Sequence, residues 1–110
     1  MPTAQISQIT VQELARRREE FLILDVRRPP EWNAGHIEGA RHMPLDGLRR
    51  EMESLDHSRP LAVHCAGGYR SSIAASLLET AGFTEVVNVQ GGFDAWKACG
   101  LPFIAAQSAA

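Results

Sequence analysis

Cysteine is scarce in this sequence. Cys65 and Cys99 are the only two in 110 residues. No CxxC pair and no cysteine–histidine set at metal-ligand spacing occurs. A disulfide framework is therefore excluded, and no metal site is expected. Long apolar runs are also lacking: nothing approaches the ~20 residues that a membrane-spanning helix needs. The start, MPTAQISQIT, has neither the basic residues nor the apolar stretch of a secretory signal. A cytoplasmic protein with no membrane association is expected. Charge of one sign is missing too, with 11 Lys and Arg against 13 Asp and Glu, a net charge of −2. That excludes the basic footprint of a nucleic-acid binder and the acidity of a solvating tail. What remains is ordinary for a folded domain: 45% hydrophobic and 22% charged residues.

The length suits one domain. We read 1–110 as a single unit, with a core of about 9–102 and a frayed tail over 103–110. Thr10 followed by Glu13 reads as a helix start, and Val11, Leu14 and Ala15 give that helix an apolar stripe. FLILDV, Phe21 to Val26, is apolar without alternation, as a strand covered on both faces should be. RRPPEWNAGHIEGARHMP reads mostly as loop with at most a short helical turn, then a brief strand around Ala40 to Met43. Leu45, Leu48, Met52 and Leu55 share a helical face. LAVH, Leu61 to His64, is a second buried strand. Ser71 to Ala81 follows as a helix with Ile73, Ala74, Leu77, Leu78 and Ala81 on one side and Gly82 as its stop. VVNV, Val86 to Val89, is a third strand. Gly91 and Gly92 turn the chain into a short helix carrying Phe93 and Trp96, ended by Gly100 and Pro102. This alternation predicts an α/β sandwich around a mainly parallel sheet. Ligand sites in such sheets gather beyond the C-terminal strand ends. Three loops qualify: Arg27 onward, Cys65 onward, and Gln90 to Gly92.

HCAGGYRS, His64 to Ser71, carries the chemistry. Cys65 follows a strand, Arg70 and Ser71 precede a helix, and Gly67 and Gly68 lie between. Glycines let the backbone curl and aim N–H groups inward, forming an anion nest. The helix adds positive partial charge at its start. A thiol at that centre ionises more easily and becomes a nucleophile. The same amides would stabilise a persulfide carried by Cys65. A buried, inert cysteine is the bland alternative; the coincidence of strand, glycines, arginine and helix start favours a reactive one.

These segments resemble the rhodanese domain over nearly the whole chain, from about Ile9 to Pro102. Three blocks carry the resemblance. LDVRRPPEWNAGHIEGARHMP supplies Asp25, Arg27, Glu31, Trp32, Gly35, His36, Ile37, Gly39, Ala40 and Pro44. CAGGYRS is the active loop. GGFDAWKACGLP supplies Gly91, Gly92, Trp96, Gly100 and Pro102. The resemblance implies a rhodanese-like three-layer sandwich with a five-stranded, mainly parallel sheet. It also implies a sulfurtransferase with Cys65 as nucleophile and no cofactor. The sulfur donor would be thiosulfate or a low-molecular-weight persulfide such as glutathione persulfide. The acceptor would be a thiol, sulfite or cyanide. CAGGYRS is most similar to rhodanese domains associated with persulfide dioxygenases, which makes such an enzyme an expected partner. No dioxygenase domain lies in this chain, so it is either a whole protein or a piece of a larger one. Ala66 stands where strong thiosulfate sulfurtransferases tend to carry a basic residue, which shifts the expectation toward persulfide donors.

The same pattern admits other readings. Cysteine phosphatases and arsenate reductases of related fold have a loop one residue longer than the four residues, Ala66 to Tyr69, between Cys65 and Arg70 here. The smaller ring suits one sulfur better than an oxyanion. A noncatalytic partner-binding module, or a persulfide carrier loaded by a partner, is the alternative from another class. Ala66, Gly67, Gly68, Tyr69 and Arg70 are read as the substrate-binding loop. Ser71 is expected to cap the helix and help hold the loop. Asp25 and Arg27 are expected as an ionic brace. His36 reads as structural, and alternation points His64 away from Cys65. Trp32 and Trp96 read as packing residues, Phe93 as lining the entrance, and Cys99 as incidental.

Overall fold

Parallel strands need crossover connections, and the helical segments of the sequence supply them. The structure, a computed structural model, describes residues 6–105. Its strands are β1 (Ser7–Ile9), β2 (Leu22–Asp25), β3 (Gly35–His36), β4 (Arg41–His42), β5 (Leu61–His64), β6 (Val86–Val89) and β7 (Ile104–Ala105). Its helices are α1 (Val11–Arg16), α2 (Pro29–Ala34), α3 (Leu48–Glu51), α4 (Tyr69–Thr80) and α5 (Gly92–Ala98). Short 3-10 turns flank α3 and follow α1. The main sheet runs β1-β6-β5-β2-β4. Every neighbouring pair in it is parallel. The α/β sandwich with a five-stranded sheet is therefore observed as expected.

Alternation within the central strands divides the core by face. Leu24, Val26, Leu61, Val63 and Cys65 pack with Ala74, Ala75 and Leu78 of α4 and with Leu48. Ile23, Ala62 and Val89 pack on the other face with Val11 and Leu14 of α1 and Phe93 and Trp96 of α5. β5 is buried at all four positions because helices cover both faces. Trp96 is fully buried, and its indole N–H donates to the Pro102 carbonyl at 2.8 Å.

Several elements differ from expectation. β1 pairs with β6 at the sheet edge; three half-polar residues leave no periodic signal. The segment expected as loop contains α2, a six-residue helix. Its first two positions are Pro29 and Pro30, where a missing N–H costs no helical hydrogen bond. Ile104 and Ala105, expected in the tail, pair antiparallel with Gly35 and His36. α4 begins at Tyr69, two residues before the expected start, and buries Ser71, Ala74, Ala75 and Leu78. Ile73, assigned to the packed face from spacing alone, is 42% exposed. The rest of the expected tail, 106–110, lies outside the described residues.

Candidate active site

Strand order builds the site. β6, β5 and β2 are adjacent, so the loops that leave their C-terminal ends converge. Cys65 is the first residue after β5. The Phe93 N–H donates to the Cys65 carbonyl at 2.8 Å, and the Asp94 N–H donates to the Ala66 carbonyl at 3.0 Å. Both carbonyls thus point toward α5, and the loop amides are free to turn the other way. The Gly68 N–H donates to Cys65 Sγ at 3.0 Å. Gly68 has φ of +109°, the left-handed region in which a side chain is strained. Gly92 is packed directly on the Cys65 and Ala66 carbonyls, leaving no room for a Cβ.

The sulfur sits under the loop, with Cys65 only 1% exposed. Burial pushes its thiol up. The Ser71 hydroxyl and the backbone N–H groups of Ser71, Gly68 and Arg70 together outweigh burial, and the thiol lies below its ordinary value. Cys65 Sγ lies 3.6 Å from Ser71 Oγ. The Ser71 hydroxyl also lies against Asn88 Oδ1, so its one hydrogen faces that oxygen while the thiol is protonated and turns to the sulfur when it ionises, and Asn88 Nδ2 donates to Gln8 Oε1 at 2.9 Å. Ser71 therefore does not cap α4. Gly68 occupies the cap position, and the Ser72 hydroxyl donates to the Gly68 carbonyl at 2.9 Å.

Arg27 and Arg70 are each held by a carboxylate. Arg27 Nε donates to Asp25 Oδ1 at 2.9 Å, Arg27 Nη2 donates to Asp25 Oδ2 at 2.7 Å, and both residues are buried. Arg27 Nη2 also donates to the Gly35 carbonyl at 2.7 Å, and the guanidinium lies 4.3 Å from the Phe93 ring centre. This pair joins the end of β2 to the start of β3. Arg70 donates to both oxygens of Glu31, at 2.7 and 2.9 Å. The Arg28 N–H donates to Glu31 Oε1 at 2.9 Å. With Arg70 beside it, the Glu31 carboxyl is lowered to about 2. Arg70 is raised by the same pair.

His64 is buried on the opposite side of β5 from the sulfur, facing Asp25 and Phe93. Its Nδ1 meets the Cys65 carbonyl at 3.2 Å, so the proton is assigned to Nδ1. Among the described residues, Nε2 has no hydrogen-bond partner. His36 stacks on Trp32, ring centres 3.6 Å apart, with Nδ1 at 3.0 Å from the Trp32 carbonyl. Both are distant in role from the thiol. Tyr69 is 80% exposed at the loop crest. Cys99 is exposed and receives a hydrogen bond from Gln12 Nε2 at 3.2 Å.

Two grooves flank the loop. One of about 390 Å³ is lined by Arg27, Glu31, Ala66, Phe93, Lys97 and Phe103 among others. One of about 250 Å³ is lined by Val26, Arg28, Pro29, Leu45, Asp46 and Arg70 among others. Asn88 joins the site without being among the residues that the sequence singles out. Its signal was present: a lone amide in the apolar strand VVNV. Glu31 appeared only as part of a motif, because nothing local pairs a residue of α2 with Arg70 of α4.

Comparison with known proteins agrees with this architecture. A family model described as a rhodanese-like domain matches residues 10–99. The thiosulfate sulfurtransferase GlpE of Pseudomonas putida is 37% identical over 83 residues, covering 76% of each chain. The protein of the same name from Coxiella burnetii is 36% identical over 94 residues, covering 86% of this chain and 87% of that one. The crystal structure of a rhodanese-related protein from Thermoplasma volcanium has a TM-score of 0.85 at 32% identity, covering 89% of this chain and 97% of that one. The chain belongs to the rhodanese-like domain family. Among the described residues, no helix is long and apolar enough to cross a membrane.

Proposed function

We propose that the protein is a cytoplasmic sulfurtransferase working through a Cys65 persulfide. One observation carries this reading: Cys65 Sγ accepts the Gly68 N–H at 3.0 Å and is faced by the Arg70 and Ser71 N–H groups, a partial ring of inward amides. Such a ring stabilises a sulfur anion and leaves little room for a tetrahedral oxyanion. In the first half-reaction the thiolate attacks the outer sulfur of the donor. With thiosulfate, the new S–S bond forms as the old one breaks, and the electron pair leaves with sulfite. The negative charge then rests on the outer sulfur of the Cys65 persulfide, within reach of the loop amides. In the second half-reaction a thiol, sulfite or cyanide attacks that outer sulfur, and the Cys65 thiolate is restored. The cycle is ping-pong, with a covalent intermediate.

The loop and Ser71 lower the thiol, which favours the thiolate without a side-chain base. His64 and His36 are left with structural roles. Ala66, Gly67, Gly68, Tyr69 and Arg70 form the donor-facing loop. Ser71 supports the sulfur from α4, while Asp25 and Arg27 brace the neighbouring strand end. The uncharged Ala66 supports low-molecular-weight persulfides, glutathione persulfide among them, as donors at least equal to thiosulfate. The CAGGYRS loop supports a persulfide dioxygenase as functional partner.

The experiment is mass spectrometry of the purified protein after thiosulfate or glutathione persulfide, followed by cyanide. Wild type should gain the mass of one sulfur atom on Cys65 and release it as thiocyanate. Cys65→Ser should do neither. A wild-type protein that never gains the sulfur would leave a noncatalytic partner-binding module as the better reading. One that loads only from a second protein would be a carrier.

A further inference from the structure

Both arginines that the sequence brings near the sulfur already have anionic partners, Asp25 for Arg27 and Glu31 for Arg70. The second pair differs from the first in position. Arg27 and Asp25 are buried below the site, whereas Arg70 and Glu31 stand at its mouth, each about one-third exposed. Arg70 lines one groove and Glu31 the other. A donor that approaches the Cys65 loop from either side therefore meets this pair.

We propose that Glu31 determines donor specificity: by holding Arg70 in a two-point pair, it withholds that positive charge from the donor and disfavours dianionic thiosulfate relative to donors of lower charge. The inference rests on the sulfurtransferase reading and deepens it.

Three features support it. A carboxylate that accepts two parallel N–H bonds occupies the guanidinium edge on which an anionic donor would otherwise dock. Glu31 is itself anchored, because its Oε1 also accepts the Arg28 N–H at the start of α2; the carboxylate is not a swinging side chain that a donor sweeps aside. The residue after the nucleophile, Ala66, supplies no replacement charge. Thiosulfate concentrates two negative charges beside the transferred sulfur. It would have to dock against a neutralised arginine with a carboxylate still attached. An organic sulfur donor with less charge at that position meets less opposition.

Glu31→Gln separates charge from shape. The amide oxygen still accepts from the Arg28 N–H and Arg70 Nη1, but its NH2 cannot accept from Arg70 Nη2, so the negative charge and one of the two Arg70 bonds are gone. The test compares kcat/KM for thiosulfate and for methanethiosulfonate, in which a methyl replaces one anionic oxygen, with cyanide as acceptor for both. Both donors pass the same outer sulfur to Cys65, releasing sulfite and methanesulfinate respectively. In Glu31→Gln the ratio of thiosulfate to methanethiosulfonate should rise about fivefold, the factor that corresponds to two unit charges ~4 Å apart in water, and the gain should fall mainly in KM. In an Arg70→Gln background the same substitution should raise the ratio less, because only the carboxylate's own repulsion is left to remove; a rise as large as in the wild-type background would overturn the role given to Arg70. Glu31→Asp keeps the charge, so its ratio should stay at the wild-type value even where total activity falls. Equal changes for both donors in Glu31→Gln would mean that Glu31 only braces the loop, and would overturn the proposal. So would a ratio in Glu31→Asp that shifts as far as in Glu31→Gln. A wild type that turns over both donors while Glu31→Gln leaves the ratio unchanged sinks this inference alone. A wild type that takes sulfur from neither sinks the sulfurtransferase reading and this inference with it.

Discussion

Replacing Gly92 by alanine places a methyl group against the backbone that shapes the cysteine loop. Gly92 has φ of +55°, the left-handed region. Holding alanine there costs about 1 kcal/mol. The larger effect is steric. A Cβ at this position overlaps the carbonyl oxygens of Cys65 and Ala66. Neither is a flexible side-chain end. Both carbonyls accept hydrogen bonds from the first turn of α5, at 2.8 and 3.0 Å. The loop or the helix must shift, and those two bonds are lengthened or lost, at about 1 kcal/mol each. The sum is roughly 3 kcal/mol, a large share of the ~5–15 kcal/mol that stabilises a typical domain. Chemical consequences should accompany it, because the two peptide planes released from α5 directly precede the Gly68 amide that meets the sulfur. Gly67 provides the control. It has an ordinary negative φ, and a Cβ there meets nothing within 4 Å. Gly67→Ala should be neutral or slightly stabilising. Urea denaturation gives the two stability changes, and the pH profile of Cys65 alkylation by iodoacetamide reports the thiol. For Gly92→Ala the midpoint should fall clearly and the alkylation profile should move to higher pH. A loss under about 1 kcal/mol with an unchanged profile would refute the claim that the α5 contact shapes the sulfur ring.

Ser71→Ala should also move the alkylation profile to higher pH, since the hydroxyl is the leading contact that lowers the Cys65 thiol against burial; a profile that stays in place would remove Ser71 from the sulfur's support. His64 gives a pH dependence of stability. Burial holds its folded-state value below the ordinary one despite Asp25 nearby. As pH falls below about 6.5, the unfolded chain takes up a proton that the folded chain does not. Stability should therefore fall with pH from there, by up to ~1.4 kcal/mol per pH unit from this residue, until folded His64 itself titrates. Denaturation midpoints between pH 5 and 8, compared with His64→Gln, check this; equal slopes in the two proteins would contradict it. The Glu31–Arg70 pair should behave otherwise. Glu31 is lowered to about 2, so the pair's contribution is complete above the ordinary carboxylate range and is lost only as pH falls toward 2. Donor preference should consequently be flat with respect to Glu31 ionisation from pH 5 to 8.

The parts of the molecule legible in the sequence are those with dense local signals. LILD, LAVH and VVNV are short, apolar and bounded by turn residues, and each is a strand of the parallel sheet. The cysteine loop was legible because its glycines and its position between strand and helix are contiguous. Elements defined by distant partners were not. β1 exists because β6 offers it an edge, and β7 because Gly35 and His36 extend beside it. α2 was hidden by its two prolines, which read as loop until their place in the first turn is known. Ser71 was misplaced for a related reason: serine before an apolar helix signals a cap, and only the left-handed Gly68 moves the helix start back to Tyr69.

The position of the carbonyls explains why the chemistry needs three loops rather than one. A peptide plane that turns its N–H inward must turn its C=O outward, and an outward carbonyl without a partner is costly when buried. For the Cys65 and Ala66 carbonyls, which open the loop, α5 supplies the partners through the N–H groups of Phe93 and Asp94, which its first turn leaves free. Gly92 permits the close approach. On the β2 side, Arg27 ties the strand end to Gly35. On the α2 side, Glu31 holds Arg70 across the mouth. The inward amides around Cys65 are thus sustained by groups from β2, α2 and α5. An isolated CAGGYRS segment would have none of them, and its thiol should titrate as an ordinary cysteine. A peptide of that sequence with an alkylation profile matching the intact protein would show that the scaffold contributes nothing to the sulfur.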